Sequence, residues 1–300
     1  MHRAPRLLLA FLLGTGAVTV QPAARLMASA ETPSGQASQN ATLKTASAKA
    51  ADIPFNSYES DSEQQLVVLA NQARHLSGVP PLALDPGLSQ AARAHAQAML
   101  NARQLSHKFD NEPSLPQRLA STTDLQLDEE AENVALDYST EQGHEHLMLS
   151  PPHRANLLNP AYNVIGVGVV RSGDRLYIVQ DFGHSLPAYT LTELKDRIAV
   201  AVNQARHEAS QPALSRRDLL IADDAACSMA HADKLGTSPV RKLSERFTVL
   251  TYTSLHPETL PNGAMHALSS PNLRSFSIGA CYGRTETYST GVYWLVLTLE

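Results

Sequence analysis

Apolar side chains recur as Leu66, Leu69, Ala70 and Ala73, the spacing of one face of a helix. Ser62 stands three residues before Gln65, a capping pattern that predicts where this helix opens. Gly78 predicts its end, and Pro80-Pro81 prevents its resumption. Asp85 followed by Pro86 supplies a cap and a proline at the first helical position, which predicts a second helix through the alanine-rich stretch to about Gln104. Beyond Glu132 the pattern shifts. Ile165-Gly166-Val167-Gly168-Val169-Val170 and Leu176-Tyr177-Ile178-Val179 are apolar runs joined by a short turn containing Gly173, which predicts a hairpin. Helices, a polar middle and a terminal hairpin predict an α+β domain ending near Gly183.

The chain also repeats itself. Asn71-Gln72-Ala73-Arg74-His75 recurs letter for letter as Asn203-Gln204-Ala205-Arg206-His207, and each copy is followed by a proline at the same distance, Pro80 and Pro212. Near the end, Ile278-Gly279-Ala280-Cys281 and Val292-Tyr293-Trp294-Leu295-Val296 echo the first hairpin. Agreement in order and element type at both ends predicts two tandem domains, residues 61–184 and 190–300.

What precedes them differs in character. Arg3 and Arg6 lead an apolar run from Leu7 to Val20, and small residues follow as Ala28-Ser29-Ala30, the layout of a secretory signal peptide over residues 1–30. An uncleaved anchor is the rival reading, although Gly14 to Gly16 interrupt the run and it is short for a membrane span. Residues 31–60 are rich in Ala, Ser, Thr, Gln and Lys without apolar periodicity, as in a flexible linker. These features predict a secreted or periplasmic protein with no membrane span after signal cleavage. In such a compartment Cys227 and Cys281 can close a disulfide confined to the last third of the chain; whether their backbones come close enough stays open at this point. Apolar residues at 43% and charged residues at 18% are ordinary for globular protein, and a net charge of −5 gives no reason to expect a nucleic-acid partner.

Three segments set metal-capable groups in loop-like surroundings: Ser106-His107-Lys108-Phe109, Ala131-Glu132-Asn133-Val134-Ala135, and Ser150 to Leu158 with His153 inside it. Two imidazoles and a carboxylate brought together could hold a zinc-like divalent ion or act as acid and base around a ligand. A single histidine among twelve is ordinarily a surface or hydrogen-bonded residue, and three scattered residues make no site by spacing alone. Asp128, Glu129 and Glu130 read as a solvated loop. His144, Glu145 and His146 lack the His-Glu-x-x-His spacing of a helical metal site. Ser150 beside His153 has no Gly-x-Ser-x-Gly elbow. Asp181 and Phe182 read as structural residues closing the hairpin.

The three segments, in this order and ahead of an Ile-Gly-Val-Gly hairpin, resemble the bacterial SCP-like branch of the CAP superfamily (cysteine-rich secretory, antigen 5 and pathogenesis-related proteins). Ser150 to Pro160 resembles its most recognisable bacterial signature, and Asn71-Gln72-Ala73-Arg74 with Leu82 to Leu88 resembles its first helix and turn. The resemblance covers residues 61–184 and implies an α–β–α sandwich whose cleft is lined by two histidines and one or two acids. On it, His107 matches the first cleft histidine, Glu132 the acid of the Glu-Asn-hydrophobic-Ala motif, and His153 the second histidine. It implies a catalytic role for those three if there is catalysis, and zinc or another divalent ion on His107 and His153, as in some members. Ser150 holds the place of the family's second acid and Leu147 that of its usual tryptophan, which departs from a four-residue site.

The second domain reads as a degenerate copy. Gly236-Thr237-Ser238-Pro239 falls where Ser106-His107 stands, and Ser270 to Ser275 is the nearest echo of Ser150 to Asn156, with Leu273 in the histidine's place. Two functions are expected. One is a binding module for a lipid, glycan, peptide or protein ligand. The other is a hydrolase of peptides or esters using His107, Glu132 and His153, with or without metal.

Overall fold

The computed structural model describes residues 58–300. The stretches read as a signal peptide and most of the linker lie outside the described residues. The folded body starts before the linker's expected end: Tyr58 bridges to Val170, and Glu59 N donates to Val169 O at 3.2 Å. Helix α1 (Ser60–Leu76) therefore opens two residues ahead of Ser62. Its cap position is Glu59, whose carboxylate is turned outward to Arg171 rather than onto the helix. Gly78 follows with φ of 71°, a left-handed conformation that glycine adopts without a Cβ penalty. Strand β1 (Ala83–Leu84) leads to α2 (Pro86–Ala102), where Asp85 Oδ1 accepts from Leu88 N at 2.7 Å, the cap foreseen in the sequence.

The rest of the first half runs α3 (Leu115–Ala120), β2 (Leu127–Asp137), α4 (Thr140–Leu149), α5 (Pro151–Leu157), β3 (Val164–Ser172) and β4 (Arg175–Ser185). The sheet order is β1-β3-β4-β2, with β1 parallel to β3 and the other pairs antiparallel. Alternate side chains of the strands face opposite layers. Ile165, Val167, Ile178 and Phe182 pack with Leu66 of α1, Leu147 of α4 and Leu157 of α5. Val134, Val170 and Val179 pack with Ala92, Ala96 and Met99 of α2. The result is an α–β–α sandwich. Gly166 and Gly168 lie under α2, and a Cβ on either would strike its backbone. Strand β2 is an edge of the sheet, open to the loops that carry the candidate chemistry.

The second half runs α6 (Leu191–Glu208), β5 (Ser215–Arg216), α7 (Leu220–Ala232), α8 (Ser238–Ser244), β6 (Thr248–Ser254), α9 (Asn262–Leu268), β7 (Ser275–Gly283) and β8 (Val292–Leu299). Its sheet order is β5-β7-β8-β6, with helices packed on both faces. The disulfide Cys227–Cys281 ties α7 to β7 across a Cα–Cα distance of 5.0 Å.

The repeated pentapeptide has a structural purpose. Asn71 Oδ1 accepts from Leu82 N at 2.8 Å, and Asn203 Oδ1 accepts from Leu214 N at 2.9 Å. Arg74 and Arg206 are both fully buried. Arg74 Nε donates to Pro80 O, and its Nη1 to Leu157 O and Asn159 O; Arg206 Nε donates to Pro212 O, and its Nη1 to Leu268 O and Ser270 O. Arg206 thus bonds Ser270 O as Arg74 bonds Asn159 O.

Candidate functional site

His107 lies on the loop between α2 and α3, and that loop is built around a buried histidine. His95, on α2, is wholly enclosed; its Nδ1 is 2.6 Å from Glu112 Oε1 and its Nε2 is 2.8 Å from Ser106 O. Glu112 Oε2 also accepts from Phe109 N at 3.2 Å, which closes the loop on itself. Arg118, buried on α3, donates through Nη1 to His107 O at 3.2 Å and through Nη2 to Glu132 Oε2. The other Glu132 oxygen, Oε1, lies 3.0 Å from His107 Nδ1. The Glu132 side chain is only 3% exposed, whereas that of His107 is 59% exposed. A buried carboxylate, neutralised by a buried guanidinium, thereby fixes an imidazole that faces solvent.

His153 enters from α5 on the other side of β2. Asn133 holds it in place: Asn133 Nδ2 donates to His153 O at 3.1 Å, and Asn133 Oδ1 accepts from Asn156 Nδ2 at 2.9 Å. Partial burial pushes the His153 imidazole below its usual pKa, and the neighbouring charge of His107 pushes it the same way. The structure thus joins His107 and Glu132 by a direct contact and brings His153 within electrostatic reach of His107. Ser150 sits at the N-terminal cap of α5, its carbonyl accepting from Arg154 N.

Asp181 differs most from its expected role. It is fully buried on β4 and pairs in register with Glu132 on β2, so both side chains point to the same face. Neither Asp181 oxygen meets a donor. Burial raises its pKa well above the ordinary aspartate value, the Glu132 charge adds to this, and Arg118 only partly offsets them. Asp181 thus keeps its proton to higher pH than a free aspartate does. The fold therefore binds a proton that the unfolded chain releases above about pH 3.9, and this contribution to stability falls as pH rises through that window. Asp181→Asn, neutral at every pH, is expected to be more stable than the wild type at pH 8, with the gap closing near pH 4. Urea denaturation at both pH values checks this; a loss of stability at pH 8 would show that Asp181 is ionised and paired.

Other discounted groups land elsewhere. Asp128 is part of β2 rather than a solvated loop, with Oδ1 2.6 Å from His184 Nδ1 and Oδ2 3.1 Å from His256 Nε2. His146 is held 2.9 Å from Asp137, and His144 is half-buried. His95, Glu112 and Arg118 escaped sequence reading altogether.

Among the described residues no three His, Cys, Asp or Glu side chains are arranged to hold a metal ion. The charges agree: Glu132 is already matched by Arg118 and His107, so a resident divalent cation there would face a guanidinium instead of an open carboxylate.

A mixed sheet flanked by helices on both faces defines the class. Residues 67–182 match the family described as CAP: Cysteine-rich secretory protein family, and this segment is a bacterial CAP domain. Among curated proteins it is similar to the uncharacterized protein YkwD of Bacillus subtilis, 35% identical over 112 residues, 37% of this chain and 43% of that one. It is also similar to the uncharacterized membrane protein YlbC of the same organism, 30% identical over 132 residues, 44% of this chain and 37% of that one. The match thus spans less than half the length of either relative. A solved extracellular protein containing a SCP domain from Bacillus anthracis is 28% identical, covering 42% of this chain and 41% of that chain, with a TM-score of 0.39. No helix among the described residues is long and apolar enough to cross a membrane.

Proposed function

We propose that this is an exported binding protein whose CAP domain presents His107 to a ligand at the edge of β2. One observation carries the reading: both Glu132 oxygens are engaged, by His107 and Arg118, while the imidazole faces outward. Glu132 then orients His107, and the second ring nitrogen is what a polar group of a peptide, glycan, lipid or protein would meet. Export is supported by the N-terminal pattern and by the disulfide, since such bonds persist in oxidising compartments. The choice between periplasm and full secretion belongs to the same proposal.

A hydrolase is the second reading. A histidine oriented by a carboxylate at 3.0 Å is the arrangement of a general base, able to take a proton from water. The readings separate in one experiment. The purified protein is screened by thermal shift against glycan, peptide and lipid panels, and by product detection against peptide and ester panels. Binding predicts a ligand that raises Tm in the wild type and not in His107→Ala, with no turnover. Turnover lost in either His107→Ala or His153→Ala, with folding intact, would favour the hydrolase. Submicromolar zinc binding lost in the His107→Ala/His153→Ala double variant would support the metal reading.

The second half is, on this proposal, a degenerate copy of the first. Counting from the residue paired with the short parallel strand (Ile165 with Leu84, Phe276 with Arg216), Asp181 and Glu132 correspond to Thr298 and Val249. The long loop at 103–114 is reduced to a turn at 233–237. The copy keeps the fold's arginine and asparagine and drops the cleft's charges. An experimental structure with a different strand order in residues 190–300 would overturn this.

A further inference from the structure

Side-chain hydrogen bonds from the second half reach the first at a short segment that joins α3 to β2, between Arg118 and Glu132. Arg284, just past the end of β7, donates through Nη1 to Ala120 O at 2.7 Å and through Nη2 to Leu125 O at 3.3 Å. Ala120 is the last residue of α3, so the guanidinium satisfies a carbonyl that a helix end leaves without a partner, and it places positive charge where a helix C-terminus favours it. Gln126 Nε2 donates to the hydroxyl of Tyr293 on β8 at 3.2 Å, and His256 Nε2 stands 3.1 Å from Asp128 Oδ2. All of these contacts fall between Ala120 and Asp128. Arg118 lies two residues before this stretch and Glu132 four residues after it.

We propose that Arg284 is a positioning residue for the cleft: by fastening the turn between α3 and β2, the second half sets Arg118 against Glu132 and so sets the orientation of His107. The chemistry favours this over mere docking. Arg118 is buried, and its two terminal nitrogens serve three acceptors: Glu132 Oε2, His107 O and Glu112 Oε2, the last at 3.4 Å. A guanidinium is a rigid fork, so its bonds depend on where its six-residue helix sits. The segment 121–126 between α3 and β2 has no regular pairing, apart from turn bonds back to α3 and the Leu186 N bond to Gln126 O. Arg284 and Tyr293 provide the external anchor. The proposal also gives the second half a role that needs no cleft of its own.

The inference rests on the His107 cleft being the functional centre, and its test reads geometry rather than ligand. In the full chain, Arg284→Ala, Arg284→Lys and Tyr293→Phe are compared with wild type by amide hydrogen exchange and by the His107 imidazole NMR signals at fixed pH. Loss of both guanidinium bonds in Arg284→Ala is expected to speed exchange across residues 115–132 by roughly ten- to hundredfold, with β7 and β8 at wild-type rates. The His107 signals move with it. Arg284→Lys, able to reach one carbonyl, is expected to recover part of both effects, and Tyr293→Phe to give a smaller change in the same direction. His107 signals at wild-type positions in Arg284→Ala, or faster exchange confined to β7 and β8, would overturn the proposal. If Arg284→Ala does not fold, the same two outcomes are read from Arg284→Lys and Tyr293→Phe. A failed ligand panel would count against the binding reading and leave this result standing.

Discussion

Arg74→Met is expected to cost about 4 kcal/mol of folding stability. The guanidinium is fully buried with no carboxylate partner, and its charge is dispersed over four backbone carbonyls. Those belong to Pro80 after α1, Leu157 and Asn159 around the end of α5, and Tyr162 before β3. Methionine fills much of the volume and satisfies none of the four. Each buried acceptor stripped of its donor costs about 1–3 kcal/mol, less whatever water recovers. Lysine does not rescue, because one ammonium cannot reach carbonyls spread around a planar fork. Arg206→Met should lose less, since Arg206 makes three such bonds and its Nη2 makes none. Urea unfolding of the three variants checks the order; a loss below about 1 kcal/mol for Arg74→Met would contradict it.

Removing the disulfide is the second large effect. Cys227 and Cys281 are 54 residues apart, and closing a loop of that length in the unfolded chain is worth about 4 kcal/mol on the chain-entropy account. The Cys227→Ser/Cys281→Ser double variant is expected to lower the urea midpoint by that equivalent. The added local opening should appear in α7, β7 and β8, while the first sheet keeps its hydrogen-exchange protection. An unchanged midpoint would mean that the bond is absent from the mature protein or that the unfolded chain is already compact across this loop.

Which features could be read from the letters follows from the range of the interactions behind them. The Asp85-Pro86 start, the Gly78 stop and the hairpin between Val164 and Ser185 depend on neighbours a few residues away. The cleft motifs survive as local words, so His107, Glu132 and His153 could be matched in order. The network behind them could not. Asp181 looked like a hairpin residue because nothing nearby reveals that β2 pairs with β4 in the register that sets it opposite Glu132. His95 is one more small-spaced position in an alanine-rich helix until Glu112 and Ser106 close on its two nitrogens.

On the proposed duplication, the second half is hard to align from its letters for a related reason. Ser270-Pro271 copies the letters of Ser150-Pro151, yet Arg206 places Ser270 with Asn159. A carbonyl is offered by every residue type, so the arginine is held while its acceptors drift in sequence. Side-chain partners leave a trace in the letters, and backbone partners leave none.

The central claim is that His107, Glu132 and His153 share one cleft, with His107 held by Glu132. The most direct measurement is the NMR pH titration of the His153 imidazole in wild type and in His107→Ala. Burial keeps the His153 pKa low in both proteins, and the His107 charge lowers it further only in the wild type. The account predicts a His153 midpoint that rises in His107→Ala while staying below that of an exposed histidine. A midpoint identical in the two proteins would place the two imidazoles outside each other's field and contradict the shared cleft.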